Sequence, residues 1–230
     1  MKKTNTFLIS HLLTTPEQLR EQNSINQISR LGSLRENFHY NQIINKPHTE
    51  LPPNDNVIFG NKDWVVGKEK ELNTWGLTSG HYGCYKAHIN AILDFFNTSD
   101  KDFLLICECD CKINIDYDFF IEKLYLAADL LCDTDYKLFS FCHPNFQTTF
   151  KNKIDNDIYE ADLIICAHMY LINKKQKKFF QDIISKYGWH TIDWWFNMVF
   201  NKENENFLCF KDLNLTSQFE GKSQIDRGLS

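Results

Sequence analysis

A chain of 230 residues, 43% hydrophobic and 24% charged, is long enough to bury a sizeable core, which excludes disorder over most of its length. Its formal charge of −5 excludes a general grip on nucleic acid, because that needs a basic surface to displace counterions. No apolar stretch approaches the ~20 residues of a membrane span, and Phe7 to Leu13 is too short and too polar for a secretion signal. The eight cysteines lie mostly inside apolar runs and read as reduced, buried thiols, so a cytoplasmic protein of one domain, residues 1–230, is expected. Lys174, Lys175, Lys177 and Lys178 form a basic cluster that reads as a solvated helix face, with peripheral membrane contact as the lesser option.

Phe7 to Leu12 is an expected strand. Thr15 is placed to cap a helix, with Pro16 at its first position, Gln18 completing a capping box and the end near Ile28. Residues 31–75 form an irregular connecting segment, broken by Pro47, Pro52 and Pro53, with a strand near Tyr40 to Ile44. After Ser79-Gly80, the residues Tyr85, Ile89, Ile92 and Phe96 fall on one face of an amphipathic helix. A strand over 103–110, a helix over 117–132 and a strand from Lys137 to Cys142 follow. Then come a longer strand from Leu163 to Ile172, a helix over 174–186 and short strands at Phe207 to Phe210 and Leu213 to Gln218. Strands alternating with helices indicate an α/β sheet.

The strand Phe103-Leu104-Leu105-Ile106-Cys107-Glu108-Cys109-Asp110 runs from apolar residues straight into acid. Alternation puts Glu108 and Asp110 on one face and Cys107, Cys109 and Cys111 on the other. Carboxylates are costly to bury unpaired, and hard oxygens suit Mg²⁺ or Mn²⁺. The plainer reading is a strand end meeting solvent. The three thiols could hold zinc, but a fourth ligand is missing and core filling is the better reading. Gly80 and Gly83 allow a sharp turn close to a ligand at a helix N-terminus, which favours phosphate. His81, Tyr85 and His88 share a face of that helix, where a histidine is more often a hydrogen-bonded core residue than a ligand. Asp193, inside Trp189-His190-Thr191-Ile192-Asp193-Trp194-Trp195, either caps the following helix or acts in catalysis. The tryptophans beside it pack the core or stack on a sugar ring. A polar loop over 217–226 is placed to close over a ligand.

In this order the pieces resemble glycosyltransferase family 25, which includes lipooligosaccharide and collagen galactosyltransferases. That family has a helix start Gly-Glu-x-Gly-Cys-x-x-Ser-His and a strand ending Glu-Asp-Asp. Here the helix start is Gly80-His81-Tyr82-Gly83-Cys84-Tyr85-Lys86-Ala87-His88 and the strand end is Glu108-Cys109-Asp110. Met169-Tyr170-Leu171-Ile172, a helix and Asp193 follow, and the resemblance spans roughly residues 77–195. Arg20 stands where the family has an arginine on its first helix, and Gln218 and Ser223 look like its C-terminal Gln and Ser. His81, Ala87 and Cys109 depart from the family's Glu, Ser and middle Asp.

The resemblance implies a GT-A-like, Rossmann-like α/β/α sandwich that binds a nucleotide-sugar, with a mixed, mainly parallel central sheet. It implies a metal-dependent, inverting hexosyltransferase using Mn²⁺ (or Mg²⁺) and a UDP-sugar, with a glycan or other hydroxyl acceptor, as in lipopolysaccharide biosynthesis. Asp110 would bind the metal, Glu108 the metal or the donor ribose, and Asp193 would be the base. Gly80, His81, Tyr82, Gly83, His88, Gln218 and Ser223 would line the donor pocket. Cys109 and His81 keep open a relative that binds donor or glycan without transfer, and a metal-dependent nucleotidyltransferase is the other alternative.

Overall fold

Strand β3 (Phe103–Glu108) is apolar on both faces because it lies in the middle of a sheet covered on both sides, where strands read as continuous hydrophobic runs. The computed structural model describes residues 5–45, 79–142, 149–163 and 166–219. Its first part runs β1 (Phe7–Leu13), α1 (Leu19–Ser33), β2 (Phe38–Ile44), α2 (Ser79–Thr98), β3, β4 (Cys111–Ile113), α3 (Tyr117–Asp133) and β5 (Phe139–Ser140). Then follow β6 (Phe150–Asp155), β7 (Ile158–Ala161), β8 (Met169–Asn173), a 3₁₀ turn leading into α4 (Lys177–Lys186), α5 (Ile192–Lys202), β9 (Phe207–Phe210) and β10 (Thr216–Gln218).

Eight strands form one sheet in the order β2-β1-β3-β8-β5-β9-β7-β6. Within it β8 and β7 run against the other six, and every pairing that involves either is antiparallel. The expected mixed, mainly parallel α/β sheet is therefore present. Strands β4 and β10 pair separately as an antiparallel ribbon.

Alternation along β3 divides the core. Leu104 and Ile106 join a cluster with Ile92 and Phe96 of α2, Phe180 of α4 and Phe196 and Phe200 of α5. Phe103, Leu105 and Cys107 join Ile28 and Leu31 of α1 and Phe120, Leu124 and Leu131 of α3. Each such fully buried large side chain contributes roughly 1.5–3 kcal/mol, so the sheet is a rigid platform for whatever leaves its edge.

Helix α1 begins at Leu19, three residues after the expected first position at Pro16, and runs beyond Ile28 to Ser33. Thr15 does not cap it. The backbone N–H and hydroxyl of Thr15, with the N–H of Thr14, donate to the buried Glu21 carboxylate at 3.0–3.1 Å. Glu21 thus folds the β1–α1 loop back onto its own helix. Gly32 is required where α1 crosses β2, because a Cβ there would lie 2.6 Å from Tyr40 Cβ. The Tyr40 hydroxyl meets His11 Nδ1 at 3.1 Å, and His11 Nε2 meets Ser24 Oγ at 2.9 Å.

Two further strand boundaries differ from expectation. Strand β3 stops at Glu108, with Cys109 and Asp110 in a turn, and β8 begins at Met169 rather than near Leu163. The edge pair β6–β7 was not legible, since β6 is mostly exposed and polar. Of the irregular segment 31–75, residues 46–75 lie outside the described residues. Three of the clustered lysines reach the C-terminal ends of neighbouring helices, Lys174 Nζ donating to Ser99 O, Lys177 Nζ to Phe96 O and Lys175 Nζ to Cys132 O, while Lys178 pairs with Asp182 on its own helix. Among the described residues no helix is long and apolar enough to cross a membrane.

Candidate functional site

Because β1 and β3 run parallel, the β1–α1 loop and the Cys109-Asp110 turn leave the sheet at the same edge. The Glu21 clamp fixes that loop and sets Arg20 at the start of α1, where its Nη1 lies 3.4 Å from Asp110 Oδ2. On the other side β10 brings Gln218, whose Nε2 is 3.4 Å from Asp110 Oδ1, and the N–H of Phe219 donates to Asp110 O at 2.7 Å. Asp110 is therefore held between the first helix and the last described strand.

Glu108 faces the other way along the edge, toward α2. Its Oε1 accepts from His88 Nε2 at 3.1 Å and lies 3.8 Å from Cys84 Sγ. An ionised carboxylate only accepts, so the proton of that bond sits on His88 Nε2. His88 Nδ1 is fixed in turn by the Tyr170 hydroxyl at 2.8 Å. Burial opposes the charge on Glu108, yet the hydrogen bond and charge of His88, aided by His168 and Cys84, hold its carboxyl below the usual range. Asp110 goes the opposite way. Burial and the Glu108 charge push it up to about 6, and Arg20 and Gln218 oppose this only in part.

The two carboxylates were expected to share a strand face through alternation. The strand ends too early for that: Glu108 meets His88 and Cys84 of α2, whereas Asp110, in the turn, meets Arg20 and Gln218. The same turn overturns the three-thiol face. Cys107 and Cys111 touch on the α3 side, while Cys109 faces Asp110, Glu21 and Glu108, whose charges add to burial in raising its thiol. Cys84, His88 and Glu108 do form a cluster whose ligand atoms lie within 4.8 Å of one another. In it the thiol and the imidazole act as hydrogen-bond donors to the carboxylate.

Asp193 lies in the first turn of α5, where Thr191 and not Asp193 occupies the cap position; its Oδ1 accepts from Trp194 N at 2.9 Å. Burial, with a contribution from the Glu108 charge, raises its carboxyl above the ordinary value. The thiol of Cys166, raised to about 11 chiefly by burial, also feels Glu108, Asp193 and Asp110. The charges of all three acids therefore reach Cys166.

The start of α2 lines the same region. Gly80 and Gly83 are helical and do not form the expected sharp turn. Tyr82 packs edge-on against Trp189 at 5.0 Å, and Tyr85 against Trp195 at 5.6 Å. His81 lies near His190, which burial, then the His81 charge, depress to about 4. Trp195 is core, its Nε1 donating to Gly188 O at 2.7 Å. Ser223 lies outside the described residues.

His168 was not anticipated. It sits one residue before β8, buried, with Nε2 2.9 Å from Thr216 Oγ1 and with no hydrogen-bond partner for Nδ1 among the described residues. The only available signal was a histidine entering an apolar strand, which by itself reads as core.

A divalent cation fits this donor set. Two carboxylates offer hard oxygens, and Asp110 is raised by burial and by the Glu108 charge, a repulsion that a cation between them would relieve.

No protein-family model and no curated protein sequence matches the chain. Among solved structures, it is similar to a glycosyltransferase involved in the glycosylation of the major capsid of PBCV-1. The TM-score is 0.50 at 10% identity, over 90% of this chain and 82% of that one. The fold is GT-A-like. Weaker likenesses include a mannose-1-phosphate geranyltransferase from Thermus thermophilus, with TM-score 0.48, 6% identity and coverage of 93% and 76%. Mouse xyloside xylosyltransferase 1 gives 0.39 at 11% identity, with coverage of 89% and 84%.

Proposed function

We propose that this chain is a metal-dependent hexosyltransferase of the family 25 type. It moves a sugar from a UDP-sugar to a glycan or other hydroxyl acceptor with inversion. The observation that carries this reading is that Glu108 and Asp110 stand at the end of β3 in a GT-A-like fold, with Arg20 3.4 Å from Asp110, while the Glu108 charge acts on both Asp110 and Asp193. The motif resemblance over roughly 77–195 supports it independently.

Asp110 and Glu108 would hold Mn²⁺ or Mg²⁺. When bound, the cation neutralises charge developing on the departing nucleoside diphosphate. Arg20, beside Asp110, presents a guanidinium to the same phosphates. The first turn of α2, with Gly80, His81, Tyr82 and Gly83, offers backbone N–H groups and a positive helix end to the donor. His88 keeps Glu108 ionised and oriented. Asp193 takes the proton of the acceptor hydroxyl, and its raised carboxyl makes it a better base than a solvated aspartate. Gln218 and Ser223 belong to the C-terminal segment that would close over the donor.

The test is a screen of purified protein against UDP-, GDP- and CMP-sugars with and without Mn²⁺, by thermal shift and nucleotide release. Mn²⁺-dependent stabilisation and slow hydrolysis of one UDP-sugar is the expected result. Pyrophosphate release from a nucleoside triphosphate and a sugar phosphate would replace this reading with nucleotidyl transfer. Donor binding without release, with every acceptor offered, would leave a non-catalytic binder.

A further inference from the structure

Cys84 and His88 stand four residues apart on α2, so their side chains lie one above the other on the face that meets the end of β3. There Cys84 Sγ and His88 Nε2 both reach Glu108 Oε1, at 3.8 and 3.1 Å, and the three atoms all lie within 4.8 Å of one another. A tetrahedral Zn²⁺, with Zn–S about 2.3 Å and Zn–N and Zn–O about 2.0–2.2 Å, sets such ligand atoms roughly 3.3–3.7 Å apart. Both contacts of Glu108 already fall within a few tenths of an ångström of that spacing.

The surroundings fit an ion as well as the spacing does. His88 is buried, and its Nδ1 meets the Tyr170 hydroxyl at 2.8 Å, which fixes the ring with Nε2 aimed at Glu108. Metal-bound histidines are held in this way, through the nitrogen that does not touch the ion. A hydroxyl both donates and accepts, so Tyr170 satisfies Nδ1 with or without a hydrogen on it. The ring hydrogen sits on Nε2 when Glu108 takes it and on Nδ1 when an ion occupies Nε2. Cys84 and Glu108 keep part of their surface exposed, which leaves an ion a way in.

We infer that Cys84, His88 and Glu108 form a binding site for Zn²⁺, distinct from the hard-cation pair of Glu108 and Asp110. Thiolate and imidazole together select Zn²⁺ over Mg²⁺ and Mn²⁺. The ion replaces the two hydrogens that point at Oε1: the thiol proton leaves to solvent and the imidazole hydrogen moves to Nδ1. Three protein ligands leave the fourth position to water or to an oxygen of a bound molecule, as in catalytic rather than structural zinc sites. The site shares Glu108 with the proposed sugar transfer and is otherwise independent of it. Tyr170 is its positioning residue.

The experiment is titration of the reduced, chelator-treated full-length protein with Co²⁺, a spectroscopic stand-in for Zn²⁺. Stoichiometric binding with a thiolate-to-cobalt charge-transfer band and the strong visible bands of a tetrahedral ion, bleached by added Zn²⁺, is the expected result. Cys84→Ser, checked as folded by circular dichroism, should abolish the charge-transfer band. Tyr170→Phe should weaken binding about 10-fold with the band retained, and Cys109→Ser and Asp110→Asn should leave the spectrum as in wild type. Absence of Co²⁺ binding, or a spectrum without the thiolate band, would overturn the site from the wild-type protein alone. A band that survives Cys84→Ser or disappears in Cys109→Ser would place the ion on other thiols and also overturn it. Loss of binding in Asp110→Asn would place the ion on the carboxylate pair, with the same consequence. The screen with Mn²⁺ and UDP-sugars is read separately, so sugar transfer can fail while this site stands, and the reverse.

Discussion

Replacing Asp110 with Asn should stabilise this protein. Asp110 titrates near 6 when folded against 3.8 in the unfolded chain, because burial and the Glu108 charge disfavour its ionised form more than Arg20 favours it. A raised carboxylate gives stability at low pH and loses it as pH rises through the folded value. The native state therefore carries an ionised Asp110 at a cost of about 3 kcal/mol at about pH 7.5 and about 1 kcal/mol at about pH 4.5. Asn keeps the shape and removes the charge. Urea unfolding followed by tryptophan fluorescence should show Asp110→Asn more stable by these amounts, with the gap narrowing as pH falls. Mn²⁺ with UDP should raise the midpoint of the wild type and leave the variant unmoved. A variant less stable than wild type at about pH 7.5 would refute the reasoning, since Asp110 would then be a structural partner of Arg20.

Asp193→Asn should lower turnover about 10²–10⁴-fold while leaving UDP-sugar affinity within a few-fold; steady-state kinetics beside donor titration separates the two, and an equal loss of both would argue against a base. His88→Ala removes the donor that keeps buried Glu108 charged and should cost about 3 kcal/mol in urea unfolding; unchanged stability would show Glu108 satisfied elsewhere. Burial depresses His11 and, with the His81 charge, His190 to about 4 from 6.5. Their contribution is complete above about pH 6.5 and is lost as pH falls toward about 4, at about 3 kcal/mol each. Acid unfolding should accordingly be steeper in Asp110→Asn, which lacks the opposing gain from Asp110. Gly32→Ala should destabilise by about 1–2 kcal/mol, because overpacking against Tyr40 outweighs the better helix propensity; a gain in stability would show that α1 can shift away from β2.

The middle of the sheet was legible because β1, β3 and β8 are buried on both faces and the helices keep strong periodicity: β1, α2 and α3 fall where the apolar patterns put them, and β3 begins where expected. Thr15 misled because capping chemistry is local, whereas Glu21, six residues on, takes both the N–H and the hydroxyl of Thr15 from inside the fold. The acid strand misled in the same way. Alternation assumes that a strand continues, and nothing in Cys109-Asp110 announces a turn. Glu108 and Asp110 stand out in the sequence all the same, because carboxylates directly after an apolar run sit where the chain leaves the core. His168 was invisible because its meaning depends on Thr216, 48 residues later, and on a strand pairing that reverses direction.

The three acids are not equivalent, and on the proposed reading that difference indicates how the site would work. Glu108 is ionised and pinned by His88, which is itself pinned by Tyr170, so its charge is a constant of the fold. Asp110 and Asp193 are held above their ordinary values by burial and by that constant charge. Environments that push neighbouring carboxylates apart in this way assign them different tasks. A cation arriving between Glu108 and Asp110 would relieve the repulsion on Asp110 and, through Glu108, lower the strain on the Asp193 charge. On the proposed reading, cation binding and the ionisation of Asp193 would be coupled through one glutamate, and Glu108→Gln should uncouple them even where Mn²⁺ still binds at Asp110.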